Sequence, residues 1–348
     1  MEVPPVPTRH RPARLAVCSL ALAGLLGAAA CGADDRPDTE GPSGAASQGV
    51  TAGSEVTPET WPLTGLPAKG GSAAARHPVM VLKMDNTSSA APQIGLGSAD
   101  LVVEELVEGG MTRLAAFFYS EIPGTVGPVR SMRSTDIGIV SPVDGAMVTS
   151  GAAPITIQRI RQAGIPFFGE GAKGFFRDSS RSAPYNLFTD LAQTATLVQG
   201  PPERPADYLE WGEAKDLPKG QPGRTLEARF SGGHATSWAF EGGRYRNVNT
   251  FAAAGDEFLA DSVLVVRVRV GDAGYRDPAG NPVPESILEG KGPAVLLHGG
   301  RAVNLTWEKA GLDAPLQLRD RLGTVRVPAG RTWIELVPAA TGSVSIGG

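Results

Sequence analysis

Apolar residues form short unbroken runs in the first half of the chain. Residues 78–85, 101–107 and 114–119 are apolar at nearly every position. Such runs are typical of strands that are buried on both faces, because an exposed face would require alternation. They predict a central sheet covered by helices. A shorter apolar run at residues 146–149 predicts a further strand.

Three further segments are predicted to be helical. Residues 131–140 can form a helix capped by Ser131 or Ser134, because serine hydroxyls accept hydrogen bonds from helix N-terminal amides. Pro154–Gln162 begins with proline and is followed by Gly164, the expected start and stop signals. Apolar positions in residues 186–199 are also spaced as in a helix.

The pattern changes in the second half. Short β-prone runs flank glycine pairs at residues 242–243 and 299–300, which predicts two hairpins. Residues 262–270 begin as a solid apolar run and then alternate. The predicted fold class is α+β: a mixed α/β domain with a central sheet at residues 59–200, a proline-containing linker at 201–225, and a smaller mostly-β domain at 226–340.

The N-terminus has the pattern of an export signal. Arg9, Arg11 and Arg14 precede an apolar run at residues 15–30, which is too short for a typical spanning helix. Small residues then lead to Cys31, as in a lipobox, with Ala28 where leucine is usual. We predict a lipoprotein signal peptide at residues 1–31, lipidation of Cys31, a disordered tether at 32–58, and attachment to the outer face of the cell membrane. The alternative is an ordinary secreted protein.

Composition excludes several classes of function. The net charge is −4 and the body has no basic block, so no nucleic-acid partner is expected. Both cysteines, Cys18 and Cys31, lie near the N-terminus, so the body contains no thiol nucleophile. The four histidines are scattered, and no phosphate-binding loop, dinucleotide fingerprint or nucleophile elbow occurs. No cofactor or metal site is predicted.

Charged residues and Gly–Pro turns concentrate around residues 95–133. Arg130 and Arg133 would share one face if a helix began there, and could then clamp a carboxylate or phosphate. The alternative is that these charges form structural ion pairs between sheet and helices. Glu105 and Asp190 are further charged candidates. The predicted ligand-binding residues are Asp85, Asn86, Glu104, Glu108, Arg113, Arg130, Arg133 and Asn186.

Three hypotheses for function remain open. The first is a module that binds a polar or anionic cell-envelope ligand. The second is a hydrolase of wall glycan that uses Asp85, Glu104 or Glu108, since such enzymes work with paired carboxylates. The third is a scaffold that presents sheet edges to a protein partner. Trp238, Trp307 and Trp333 are expected to be core residues rather than sugar platforms.

Several blocks of sequence resemble the YerB-like bacterial lipoproteins. They include WPLTGLP at residues 61–67, the Asp85-Asn86 pair, residues 99–104, residues 107–113 and VGPVRSMR at residues 126–133. Residues 183–189 fit as well, although histidine is expected where Tyr185 stands, and residues 306–309 and 330–334 resemble the C-terminal domain. The resemblance implies a two-part extracytoplasmic lipoprotein. It implies no mechanism, because the family is one of unknown function.

Overall fold

The computed structural model describes residues 59–348. The predicted signal peptide, the lipidation site Cys31 and the tether lie outside the described residues. Strands make up 42% of the structure and helices 12%. These proportions fit a mostly β fold better than the mixed α/β character that we predicted for the first domain.

The described residues form 23 strands and three short α-helices. The strands are β1 (Met80–Asp85), β2 (Leu101–Leu106), β3 (Thr112–Phe118), β4 (Thr125–Val126), β5 (Ala146–Val148), β6 (Phe167–Phe168), β7 (Phe175–Arg177), β8 (Leu187–Asp190), β9 (Trp211–Gly212), β10 (Gln221–Pro222), β11 (Thr225–Arg229), β12 (Ala235–Glu241), β13 (Arg244–Asn247), β14 (Leu259–Ala260), β15 (Ser262–Arg276), β16 (Pro282–Ile287), β17 (Gly290–His298), β18 (Arg301–Lys309), β19 (Gln317–Arg319), β20 (Thr324–Val325), β21 (Val327–Pro328), β22 (Thr332–Pro338) and β23 (Ser343–Gly347). The helices are α1 (Asp136–Val140), α2 (Pro154–Gln162) and α3 (Leu191–Ala195).

A 13-stranded sheet forms the centre of the fold. Its main order is β20-β19-β18-β17-β15-β22-β2-β3-β1-β5-β6, with β10 paired to β18 and β16 to β15. Strand β22 is parallel to both β15 and β2, so it joins strands from the two ends of the sequence. The sheet therefore contains strands from both predicted domains, and its strand β10 belongs to the linker predicted between them.

Different layers cover the two faces of this sheet. One face packs against α1 and α2, through residues such as Ile139 and Ile160. The other face packs mainly against a five-stranded antiparallel sheet in the order β14-β13-β12-β11-β23. Both layers bury apolar side chains, which explains why the central strands are apolar at nearly every position. A sheet instead of helices covers the second face, contrary to expectation.

Most of the local predictions are confirmed. Helix α2 has the predicted limits, and the hairpins at both glycine pairs form as β12–β13 and β17–β18. The helix predicted at residues 186–199 is wrong over its first part, where β8 pairs with β4 and β7. Trp238, Trp307 and Trp333 are buried in the core, as expected. Among residues 59–348, no helix is long and apolar enough to cross a membrane.

Candidate functional site

The candidate site lies at the edge of the central sheet where several strands end. Strands β1, β5 and β6 are mutually parallel, and β2 runs in the same direction because β3 is antiparallel to both β1 and β2. Their carboxyl ends therefore share one edge. In open α/β sheets ligands bind outside the carboxyl ends of parallel strands, and this edge has that arrangement locally.

An arginine pair lies on the helix-covered face at this edge. Arg133 Nε donates to Glu108 Oε2 over 2.9 Å, and Arg113 Nη2 lies 3.4 Å from Glu108 Oε1. Burial and the charge of Arg133 lower the pKa of Arg113 to about 10. Burial alone would raise the pKa of Glu108, but Arg133 and Arg113 hold it below its usual value. The Glu108 carboxylate therefore pairs with the guanidinium groups of both Arg113 and Arg133.

The third arginine, Arg130, occupies the gap between the ends of β1 and β5. Its amide donates to Lys83 O over 2.8 Å, and its carbonyl accepts from Ser150 N over 3.1 Å. Its Nε donates to Asp85 Oδ2 over 2.7 Å, and its guanidinium lies 5.2 Å from the centre of the Tyr185 ring. Residues 130–133 lie outside any helix, since α1 begins at Asp136, so the predicted shared helix face of Arg130 and Arg133 is wrong.

A fully buried charge triad lies next to this arginine cluster on the same face. Lys83 Nζ lies 2.6 Å from Glu105 Oε1 and 2.9 Å from Asp136 Oδ1, and all three side chains are inaccessible to solvent. Burial lowers the pKa of Lys83, but the two carboxylates raise it by more, so the lysine is charged. Burial also raises the pKa of Glu105, as expected where two carboxyls share one cation.

Glu104 and Asn86 face the other side of the sheet, towards the five-stranded sheet. Asn86 Nδ2 donates to Glu104 Oε1 over 3.0 Å and to Thr112 Oγ1 over 2.9 Å. His234 Nε2 lies 2.9 Å from both of these oxygens, and Thr236 Oγ1 donates to Glu104 Oε2 over 2.9 Å. Glu104 therefore belongs to a second cluster, on the opposite face from Asp85 and the arginines.

The eight predicted ligand-binding residues thus fall into three groups. Five of them meet on the helix-covered face, and two lie on the opposite face in the Glu104 cluster. Asn186 belongs to neither cluster, because its Oδ1 accepts from Arg177 Nη1 over 2.7 Å. Strand β2 ends at Leu106, so strand alternation does not bring Glu108 to the face of Glu104. The five residues brought together are Asp85, Glu108, Arg113, Arg130 and Arg133.

Two family models match the chain. A family described as "Protein of unknown function (DUF3048)" matches with its N-terminal domain over residues 63–201 and with its C-terminal domain over residues 226–334. The chain belongs to this family. A relative named "Putative lipoprotein YerB", from Bacillus subtilis (strain 168), is 25% identical over 289 residues, which are 80% of this chain and 86% of the relative.

A solved structure supports the fold. The crystal structure of the YerB protein from Bacillus subtilis superposes with a TM-score of 0.69 and 20% sequence identity. The match covers 82% of this chain and 99% of the YerB chain. At this level of identity the likeness establishes the shared fold, and the roles of individual residues in this DUF3048 protein rest on its own geometry.

Four titratable residues of these clusters were not among the predicted site residues: Lys83, Asp136, His234 and Glu335, which lies beside Glu104 in the pairing of β2 with β22. Lys83 and Glu335 are charged residues within otherwise apolar strands, and that interruption was a usable signal because buried charges require partners. His234 gave no such signal. It lies in a polar turn between β11 and β12, and its partner Glu104 is 130 residues away in the sequence. Among residues 59–348, no group of three or more acidic, histidine or cysteine side chains could hold a metal ion.

Proposed function

We propose that this protein is a lipid-anchored extracytoplasmic binding protein that holds its ligand by an anionic oxygen group. The anchor is supported by the sequence of residues 1–31 and by the lipoprotein name of the Bacillus relative. The ligand site is supported above all by Arg130. Its Nε is fixed to Asp85, while its two terminal nitrogens have no hydrogen-bond partner among residues 59–348.

The local ion pairing leaves Arg130 able to take an anion, although the neighbouring triad of two carboxylates and one lysine balances the charge of the wider cluster. Three guanidinium groups share only two carboxylates, those of Asp85 and Glu108. Arg130 is the most accessible arginine of the three, with 19% of its side chain exposed against 8% for Arg113 and for Arg133. A carboxylate or phosphate at Arg130 would accept charge-assisted hydrogen bonds, which are stronger than those between neutral groups.

Polar groups around Arg130 could complete such a site. The hydroxyls of Ser131 and Ser150 are exposed and lie 3.3 Å apart. The half-buried Tyr185 presents its ring to the Arg130 guanidinium. These side chains can hydrogen-bond the uncharged part of a ligand, which fits the polar or anionic envelope component expected from the sequence.

The carboxylates needed by a wall-glycan hydrolase are already engaged. Asp85 and Glu108 pair with arginines, and Glu104 is fully buried on the opposite face of the sheet. Such an enzyme needs two carboxyls that both reach the substrate across a cleft. Binding is therefore the better-supported function.

The test is a binding measurement with the full lipidated chain in detergent micelles. Two probes distinguish the sources of the anion: soluble muropeptides, which carry carboxylates, and a phosphate-rich wall polymer. We expect one of them to bind, and Arg130→Gln to weaken that binding by about tenfold or more, the loss of one charge-assisted hydrogen bond. Arg246→Gln is the matched control, because Arg246 is an exposed arginine on β13 that pairs with Glu241.

Three results would count against the proposal. The first is binding that Arg130→Gln and Arg246→Gln leave equally unchanged. The second is release of soluble fragments from purified cell wall by the wild-type protein, because that would show a hydrolase. Failure of both probes to bind the wild type would also refute an anion site of this kind.

A further inference from the structure

Glu104 and Glu335 are neighbours on parallel strands at the junction of the two sheets. The pairing of β2 with β22 places Glu104 directly beside Glu335, and both residues are inaccessible to solvent. Among residues 59–348, neither carboxyl forms an ion pair with a lysine or an arginine. Two buried carboxylates without a strong cation repel each other, so such a pair tends to keep one proton.

The hydrogen bonds identify where that proton resides. Glu104 accepts from Asn86 and Thr236 and contacts His234, which suits an ionised carboxylate. Glu335 Oε1 accepts from Trp238 Nε1 over 2.7 Å, and its other oxygen has no further hydrogen-bond donor in the described residues. Burial and the charge of Glu104 raise the pKa of Glu335 well above its usual value. Glu335 is the protonated member.

His234 connects this pair to the protein surface. Its Nε2 contacts Glu104, and Ser231 in the same turn donates from Oγ to Gly110 O over 2.6 Å. The neighbouring residues 232–233 are exposed glycines. The turn before β12 is thereby held against the turn between β2 and β3. His234, which contacts Glu104, directly follows these exposed glycines.

We propose that Glu104, Glu335 and His234 form a proton-operated latch between the central sheet and the five-stranded sheet. These three are the titratable groups that face one another there. The other side chains in contact, from β3, β12, β22 and the end of β1, are the uncharged Thr112, Thr236, Trp238, Trp333 and Asn86. Arg113 and Glu105 belong to the opposite face of the sheet.

The direction of the pH response follows from the charges. In acid, Glu335 stays neutral beside the ionised Glu104, which His234 contacts, so the latch is closed. As the pH rises through the folded-state pKa of Glu335, the pair loses its shared proton and the two carboxylates repel. The latch then loosens. A group whose pKa is raised on folding contributes stability at low pH that is lost as the pH rises.

The indole proton of Trp238 provides a direct measurement, because it donates to Glu335. The full chain is labelled with ¹⁵N-tryptophan, Trp238→Phe identifies the signal, and the indole shift is followed from about pH 5 to about pH 10. We expect a titration in the wild type that disappears in Glu335→Gln, because the introduced amide keeps the hydrogen bonds without the titrating proton. Glu241→Gln, at an exposed carboxylate on β12, is the control and should titrate like the wild type.

A second measurement keeps the test independent of chemical shifts. The melting temperature of Glu335→Gln should exceed that of the wild type by an amount that grows as the pH rises, since the variant has no buried proton to lose. The proposal is overturned if the Trp238 indole titrates equally in Glu335→Gln, if it does not titrate in the wild type, or if the difference in melting temperature is constant with pH. No ligand enters either measurement, so neither depends on the anion site.

Discussion

Replacing Lys83 with methionine removes the cation that two buried carboxylates share. Lys83 Nζ lies 2.6 Å from Glu105 and 2.9 Å from Asp136, and none of the three side chains reaches solvent. Breaking a buried ion pair by removing one partner costs about 3–5 kcal/mol, because a charge is left buried without compensation. Most globular domains are stable by only about 5–15 kcal/mol, so Lys83→Met should lower the unfolding free energy substantially.

Urea unfolding followed by circular dichroism measures this loss. The deficit in unfolding free energy should be largest near pH 7 and smaller near pH 5, since burial raises the pKa of Glu105 and this carboxyl takes up a proton as the pH falls. A triple variant that also carries Glu105→Gln and Asp136→Asn should recover most of the loss, because no charge then stays buried. Lys291→Met, at an exposed lysine of β17, is the control and should change stability by about 0.5 kcal/mol or less.

The reasoning would be refuted by either of two results. A loss below about 1 kcal/mol for Lys83→Met at neutral pH would mean that the triad is not a buried cluster of charges. A triple variant no more stable than Lys83→Met would mean that the cost arises from packing around the methionine instead of from the uncompensated carboxyls.

Three further predictions concern the surroundings of the site. Gly95→Ala should destabilise the protein by about 1–3 kcal/mol in urea unfolding, because Gly95 has a φ of +81° and an added Cβ would lie 2.8 Å from Val126; an unchanged midpoint would contradict this. Arg331→Gln should lower the free energy of unfolding by about 1.5–3 kcal/mol, because the charged hydrogen bonds from Arg331 to the carbonyls of Gly97 and Ala99 are lost. Arg331→Lys should recover only part of that loss. Glu108→Gln should be less stable than the wild type at neutral pH. The difference in stability should shrink as the pH falls through the lowered pKa of Glu108, because the wild type then also loses the ionised partner of Arg133.

Local sequence signals predicted the helices and hairpins that capping and turn residues within the segment itself specify. Helix α2 was found from its proline start and the following Gly164, and the hairpins were found from glycine pairs. The stretch beginning at residue 186 was mistaken for a helix because its leucines have helical spacing. In the structure Leu187 and Phe188 are buried in a small sheet with β4 and β7, so pairing with distant strands overrides the spacing.

The site was predictable in composition but not in arrangement. The concentration of charges from Asp85 to Arg133 correctly brought five of eight residues into one cluster. Which face of the sheet each residue occupies depends on strand registers and ends, and the end of β2 at Leu106 separated Glu108 from Glu104. His234 could not be found in this way, because only the packing of the second sheet brings it to Glu104.

The central position of β22 has a consequence for how the protein folds. Residues 332–338 lie between β2 and β15 in the sheet, and they are separated from β2 by more than 200 residues of sequence. Until β22 has been synthesised, both of its neighbours expose unpaired backbone edges, which readily join other chains. The long loop that must close before this strand can pair also makes folding slow. The chain should therefore depend on chaperones while it is incomplete, and a nonsense mutation shortly before residue 332 should yield an aggregating product instead of a smaller working protein.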